Sequence, residues 1–317
     1  MASTISEYLA KSAYIKTDSA ATKKKFYLIG TQFSTLIGLK KATIEELNSL
    51  KTLDHAPLIR PLTQKEQEVF NLIKKEINPR VSIEENFVFL LTKRFIKKQL
   101  VMLEELTLDS ISANPLLCNA LKMSSVTDLV KYIVYSSATR SIVTSMGYLI
   151  EDLLLFSNPD VQNGKDFAEG LSNKWDLVIE RLDSVRCYIE VKSGPNDMDK
   201  TQMKSYNREI KEVENLGYKG YVGFSYGRKD MKTVTTGLLP QYLDDWESHT
   251  LMGTELWDFV SGDPTYHERL MSVIKYTAET ILRGKSIIRM IDKKVKEITK
   301  EFNERYHSVD DYFAQLW

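Results

Sequence analysis

Three side chains have types and spacing that could do chemistry together. Asp176 lies in the short segment WDLVI, Trp175 to Ile179, and fourteen residues further on comes Glu190-Val191-Lys192, which ends the segment CYIEV and runs one residue past it. Both segments are rich in β-branched and aromatic residues, and the ERLDSVR stretch between them has turn composition, so the pattern predicts a hairpin. On a strand, residues i and i+2 share a face, so Glu190 and Lys192 project together while Val191 points to the core. The hairpin would set Asp176 beside Glu190. Two carboxylates and an ammonium at one end of a small sheet could hold a hard cation, or could be a structural salt bridge on a half-buried strand. Residue types alone leave both readings open. Glu-x-Lys also recurs at Glu209-Ile210-Lys211, in a charged helical stretch where it reads as a solvated face without a partner.

A third acid precedes the sheet. In Thr144-Ser-Met-Gly147-Tyr-Leu-Ile-Glu151-Asp152 a Glu follows a Gly by four residues inside an apolar helix. A small residue one turn from an acid would admit another element close to the helix, although either acid could equally face solvent.

The elements that must position these groups are legible to different degrees. Capping-box spacing at Thr63 with Glu66 and at Ser82 with Glu85 predicts two helix starts. The second opens an amphipathic helix from Ile83 to about Leu106, with Phe87, Leu90, Leu91 and Phe95 on one face and Lys93, Arg94, Lys97 and Lys98 on the other. Helix is also predicted over Val126 to Phe156, with a break near SSATRS, over Lys200 to Leu216, and from Tyr266 through Phe302. A further strand is predicted at GYVGFSY, Gly220 to Tyr226. The first sixty residues are the least regular, and TDSAATKKKFYLIGTQF reads as a strand or an arm. The order is helical, then strand-hairpin-helix-strand, then helical: an α/β or α+β chain whose sheet comes mainly from residues 160 to 240.

The 317 residues balance 43 Lys and Arg against 43 Asp and Glu, but the balance is a cancellation. Residues 1 to 100 carry a surplus of +7, residues 101 to 263 carry −9, and the remainder +2. Zero net charge therefore does not exclude a polyanionic partner. Two cysteines, Cys118 and Cys187, and four scattered histidines offer neither a disulfide framework nor zinc spacing. No run approaches the roughly 18 apolar residues of a membrane span, and the start lacks the apolar core of a secretory signal, so a cytoplasmic protein with no membrane partner is expected. Neither G-x-x-x-x-G-K-[ST] nor G-x-G-x-x-G occurs, which argues against a nucleotide-binding enzyme.

With Asp176, Glu190 and Lys192 as the core motif, the sequence resembles the PD-(D/E)XK nuclease superfamily, and more narrowly its type II restriction endonucleases. Gly147 and Glu151 resemble the helix-borne Gly-xxx-Glu of many members. Asn114-Pro115-Leu116-Leu117, followed by a Ser/Thr-rich stretch before Gly147, looks like a pattern in several restriction enzyme families. Lys192-Ser193-Gly194-Pro195-Asn196 with Thr201, Gln202 and Tyr206 looks like the loop and helix after the catalytic lysine. The likeness covers about residues 113 to 226, and departs from the name-giving pattern in having Trp175 where a proline often stands.

The resemblance implies a central mixed β-sheet flanked by helices, with a helical region at 1–112, a catalytic core at 113–262 and a helical region at 263–317 packed on the core. It implies Mg²⁺ held by Asp176, Glu190 and the Val191 carbonyl, with Glu151 serving a second metal or its water, and Lys192 orienting the attacking water and stabilising the transition state. Oxygen ligands suit hard Mg²⁺, and phosphodiester hydrolysis needs such a cation. Candidates to grip double-stranded DNA are Ser193, Asn196, Lys200, Lys204, Arg228 and Lys229, each of which could also be ordinary polar surface. A homodimer cutting a short palindrome, with a lean to GG/CC-containing sites, is the expectation. A repair or junction-resolving nuclease, or a non-catalytic DNA-binding protein on the same fold, are the alternatives.

Overall fold

A computed structural model describes residues 4–52, 55–164, 171, 175–180 and 185–316. Among the described residues, eight α-helices precede the sheet: α1 (Thr4–Thr17), α2 (Ala20–Gly30), α3 (Leu36–Lys41), α4 (Ile44–Asn48), α5 (Gln64–Glu76), α6 (Ile83–Glu105), α7 (Pro115–Ala120) and α8 (Val126–Leu155). The sheet strands are β1 (Val161–Asn163), β2 (Leu177–Glu180), β3 (Arg186–Lys192), β4 (Lys219–Phe224) and β5 (Thr250–Met252), interleaved with α9 (Lys200–Asn215), α10 (Val234–Tyr242) and α11 (Trp246–His249). α12 (Thr254–Ser261), α13 (Tyr266–Leu282), α14 (Ile287–Arg305) and α15 (Val309–Ala314) follow. The fold is α/β, and no described helix is long and apolar enough to cross a membrane.

Both expected capping boxes form. Thr63 and Glu66 satisfy each other's backbone at the start of α5, and Ser82 and Glu85 do so at the start of α6. Two expectations fail. The stretch read as a strand or an arm is helix α2: Ser19 caps it by accepting from the Thr22 amide, and Thr22, Phe26 and Ile29 recur at helical spacing as its buried stripe. α8 is continuous through SSATRS, because Ile133, Val134 and Ala138 keep the apolar period buried on one side while the hydroxyl residues fall on the other.

By contacts the chain divides into two compact units, the first comprising the residues up to Leu91 with Ile150–Ile274, the second Thr92–Leu149 with the chain from Lys275 onward. The second unit has its own core, in which Leu129, Ile133 and Val134 of α8 join the buried stripe Ile291, Val295, Ile298 and Phe302 of α14.

The first unit holds a five-stranded mixed sheet in the order β1-β2-β3-β4-β5. β1, β2 and β3 are antiparallel neighbours, as a hairpin requires; the expected turn ERLDSVR falls mostly on residues 181–184, outside the described residues. β3, β4 and β5 run parallel, with α9 as the crossover from β3 to β4. Helices cover both faces. α9 lays Met203, Tyr206, Ile210 and Val213 against Tyr188 and Val222 on one face. On the other, α12 brings Leu256 so close to Gly223 that a Cβ there would sit 2.6 Å from its Cδ1, so a larger residue would force the Leu256 side chain to shift.

Candidate active site

The antiparallel register between β2 and β3 decides what meets at the sheet end. Leu177 pairs with Ile189, so one step further Asp176 faces Glu190, and residues directly opposite in an antiparallel pair share a face. The backbone continues that register: the Asp176 amide donates to the Ile189 carbonyl at 3.1 Å. The Asp176 carboxylate is itself anchored, its Oδ2 accepting the Val191 amide at 2.9 Å. Trp175, where a proline often stands in the resembling pattern, is buried against the rings of Tyr188 and Tyr206, with centroids 6.0 and 6.4 Å away. It wedges the start of β2 in the core and so fixes the residue that follows.

Glu190 is 6% exposed. Its Oε1 takes two donors, Lys192 Nζ at 2.6 Å and Tyr206 Oη at 2.5 Å, while Lys192 Nζ also lies 3.4 Å from Tyr206 Oη. Its Oε2 is buried with no hydrogen-bond partner among the described residues. Burial first, and then the charge of Asp176, push the Glu190 carboxyl up to about 7 against the opposing pull of Lys192 and Tyr206. Burial and the neighbouring Glu190 push the Tyr206 phenol well above its ordinary value, so it stays protonated and can only donate to that carboxylate.

A buried carboxylate oxygen without a partner is costly unless something positive meets it. Asp176, Glu190 and nearby main-chain carbonyls offer hard oxygen ligands, which suits Mg²⁺ or a similar divalent ion. Such ions are often bound by one or two carboxylates, the rest of the shell being water and substrate phosphate. The residues present therefore fit a hard cation. No cluster of three or more His, Cys, Asp or Glu that could hold a metal occurs among the described residues. Glu151 is half-buried on α8.

The expected DNA contacts are placed unequally. Lys200 and Lys204 are exposed on the first turns of α9 and flank the Tyr242 ring at 4.9 and 5.4 Å. Asn196 is exposed in the loop after β3, and the Ser193 carbonyl beside it accepts from Ser225 Oγ at 2.5 Å. Arg228 and Lys229 are already committed, Arg228 to Asp230 at 2.9 Å and Lys229 to Glu255 at 3.0 Å. The solvated-face reading of the second Glu-x-Lys is corrected: Glu209 is 2% exposed and accepts from Ser205 Oγ at 2.7 Å. Tyr206 was not singled out from sequence as a member of the site. The signal was its place in the buried period Met203, Tyr206, Ile210, Val213, which turns a phenol toward the acidic face of the sheet.

The sequence model of one family, type II restriction endonuclease EcoO109I, matches residues 82–281. The chain belongs to that family. The match spans the whole sheet, α9, and the stretch from Asn114 through Glu151, and so contains every residue of the acidic sheet end. Membership makes the protein a type II restriction endonuclease, hence a nuclease and hydrolase that binds DNA. No curated protein is similar enough to match the chain.

Proposed function

We propose that the protein makes Mg²⁺-dependent double-strand breaks at a short palindromic DNA sequence, acting in the cytoplasm as a homodimer with one strand cut by each subunit. The observation that carries this reading is Glu190: both of its protein donors crowd onto Oε1, leaving Oε2 buried without a hydrogen-bond partner among the described residues, on a carboxyl that feels the charge of Asp176. Asp176, Glu190 and the Val191 carbonyl would hold Mg²⁺. When bound, the ion supplies charge neutralisation at the scissile phosphate and a more acidic water.

The rest is done by the chain's own groups. Tyr206 holds Glu190 in one rotamer through Oε1. Lys192 hands its proton-rich ammonium from Glu190 toward the reaction, orienting the attacking water and donating to the charge that builds on phosphate oxygens. Trp175 and Tyr188 exclude water from behind the carboxylates. Lys200, Lys204, Ser193 and Asn196 contact the DNA backbone, and Arg228 and Lys229 join them by exchanging their present carboxylates for phosphates. Two-fold symmetry of the dimer would mirror that of the site, and a GG/CC-containing sequence is the favoured candidate.

The test is to incubate the purified protein with plasmid DNA and Mg²⁺ and sequence the fragment ends. Discrete fragments with one short palindrome at every end are expected, and their loss in Asp176→Ala with the fold intact. Cleavage confined to branched or damaged DNA would point instead to a repair nuclease, and full activity of Asp176→Ala would remove the metal assignment.

A further inference from the structure

The two upstream motifs, Asn114-Pro115 and the Ser/Thr-rich stretch of α8, have no part in the acidic sheet end. They line one cleft of about 620 Å³ within the second unit, formed by Lys98 of α6, the chain from Ser110 to Asn114, and one face of α8. On α8 the lining residues come in pairs four apart, Ser136-Ser137, Arg140-Ser141 and Thr144-Ser145, a polar stripe about 12 Å long. No Asp or Glu lines the cleft. Its two cations, Lys98 and Arg140, are exposed and have no ion pair or hydrogen bond among the described residues. At its floor Ser145 is 7% exposed, yet its hydroxyl has no protein partner among the described residues.

Serines in a helix interior are poorer helix formers than Ala, Lys or Glu. Small hydroxyl donors interleaved with an unpaired guanidinium, opposite an unpaired ammonium, form a surface complementary to phosphodiester oxygens. Most of the lining is exposed, so the cleft is an open trough that a continuous backbone can cross.

We infer that this cleft is a second DNA-backbone site, in which Lys98, Arg140 and the α8 hydroxyls grip phosphates of duplex DNA away from the acidic sheet end. The inference rests on the reading of the protein as an enzyme that acts on duplex DNA. It assigns the cleft a positioning role that carries no sequence information.

The test is fluorescence anisotropy on a mixed-sequence duplex without Mg²⁺, titrated between about 50 and 200 mM salt. For Lys98→Gln/Arg140→Gln, affinity at the middle of that range is expected to fall about tenfold and the slope of log K against log salt to lose about 2, close to one per phosphate contact. Ser136→Asp, which sets a carboxylate in the trough, should weaken binding in the same direction. Lys131→Gln/Lys285→Gln removes the same charge from exposed positions outside the cleft and should leave the slope nearly intact. An unchanged slope in the cleft variant, or an equal loss in the control, overturns this site while the wild type still binds and cuts DNA. Absence of duplex binding by the wild type would instead bring down the reading of function on which it rests.

Discussion

The chain writes Glu-x-Lys twice, at Glu190-Val191-Lys192 and at Glu209-Ile210-Lys211, and the two copies have opposite fates. The first lies on β3, where i and i+2 share a face, so Lys192 lies 2.6 Å from Glu190, whose carboxyl feels the charge of Asp176. The second lies on α9, where two residues turn the chain through about 200°. Glu209 is consequently buried while Lys211 is exposed and pairs with Asp244 on a loop. The same three letters give a coupled acid-base pair on a strand and two unrelated side chains on a helix. What makes the motif chemical is the period of its element, together with a second carboxylate brought alongside by the hairpin register.

The comparison breaks most sharply at the two lysines. Lys192→Ala should lower the DNA cleavage rate by roughly 10²–10³, the usual loss when one preorganised donor to transition-state charge is removed. Lys211→Ala should leave cleavage unchanged and alter stability by less than about 0.5 kcal/mol, since its ion pair is exposed on both sides. Single-turnover cleavage of plasmid DNA by the two variants compares them directly. Equal losses would mean that the strand copy has no special role.

A second contrast concerns pH. The folded protein raises the Glu190 carboxyl from 4.5 to about 7, so the folded state binds this proton more tightly than the unfolded chain does. The stabilisation is fully present below about pH 4.5 and is lost as pH rises through 7, a loss on the order of 3 kcal/mol for a shift of this size. Glu190→Gln keeps the shape without the titration. In the absence of metal its melting temperature relative to wild type should therefore be higher at pH 8 than at pH 5. Mg²⁺ should recover the wild type at pH 8 and leave the variant unmoved. Parallel melting curves for the two proteins at both pH values would show that Glu190 does not titrate in this range.

How far the sequence reached depends on which of these effects decided each element. Periodicity over a single element carried α6, α9, β3 and β4 to within a few residues, and the hairpin spacing carried the meeting of Asp176 with Glu190. α2 was missed because its stripe is only Thr22, Phe26 and Ile29 in a stretch of lysines, so that its cap at Ser19 was the better signal. The break expected in α8 followed from the weak propensity of SSATRS, which burial of Val134 and Ala138 overrides. The period of α9 puts Tyr206 on its buried face, but the meeting of its phenol with Glu190, and the orphaned Oε2, depend on how α9 packs on the sheet, a long-range fact that no local spacing encodes.

The smallest effect tests the helix copy itself. Glu209 is buried on the same face of α9 as Tyr206 and accepts from Ser205 Oγ at 2.7 Å, so removing it takes away that acceptor and opens a small void. Glu209→Ala should cost about 1–2 kcal/mol of stability in a denaturant titration. Glu209→Gln, which keeps an acceptor for Ser205, should cost about half of that. Neither should change the cleavage rate at saturating Mg²⁺, because Glu209 lies on α9 with no bond to Glu190 or Lys192. If Glu209→Gln instead slowed cleavage while holding stability, the buried acid of the helix would belong to the same electrostatic unit as the strand pair. The two copies would then be coupled through Tyr206, whose phenol lies within the field of both carboxylates.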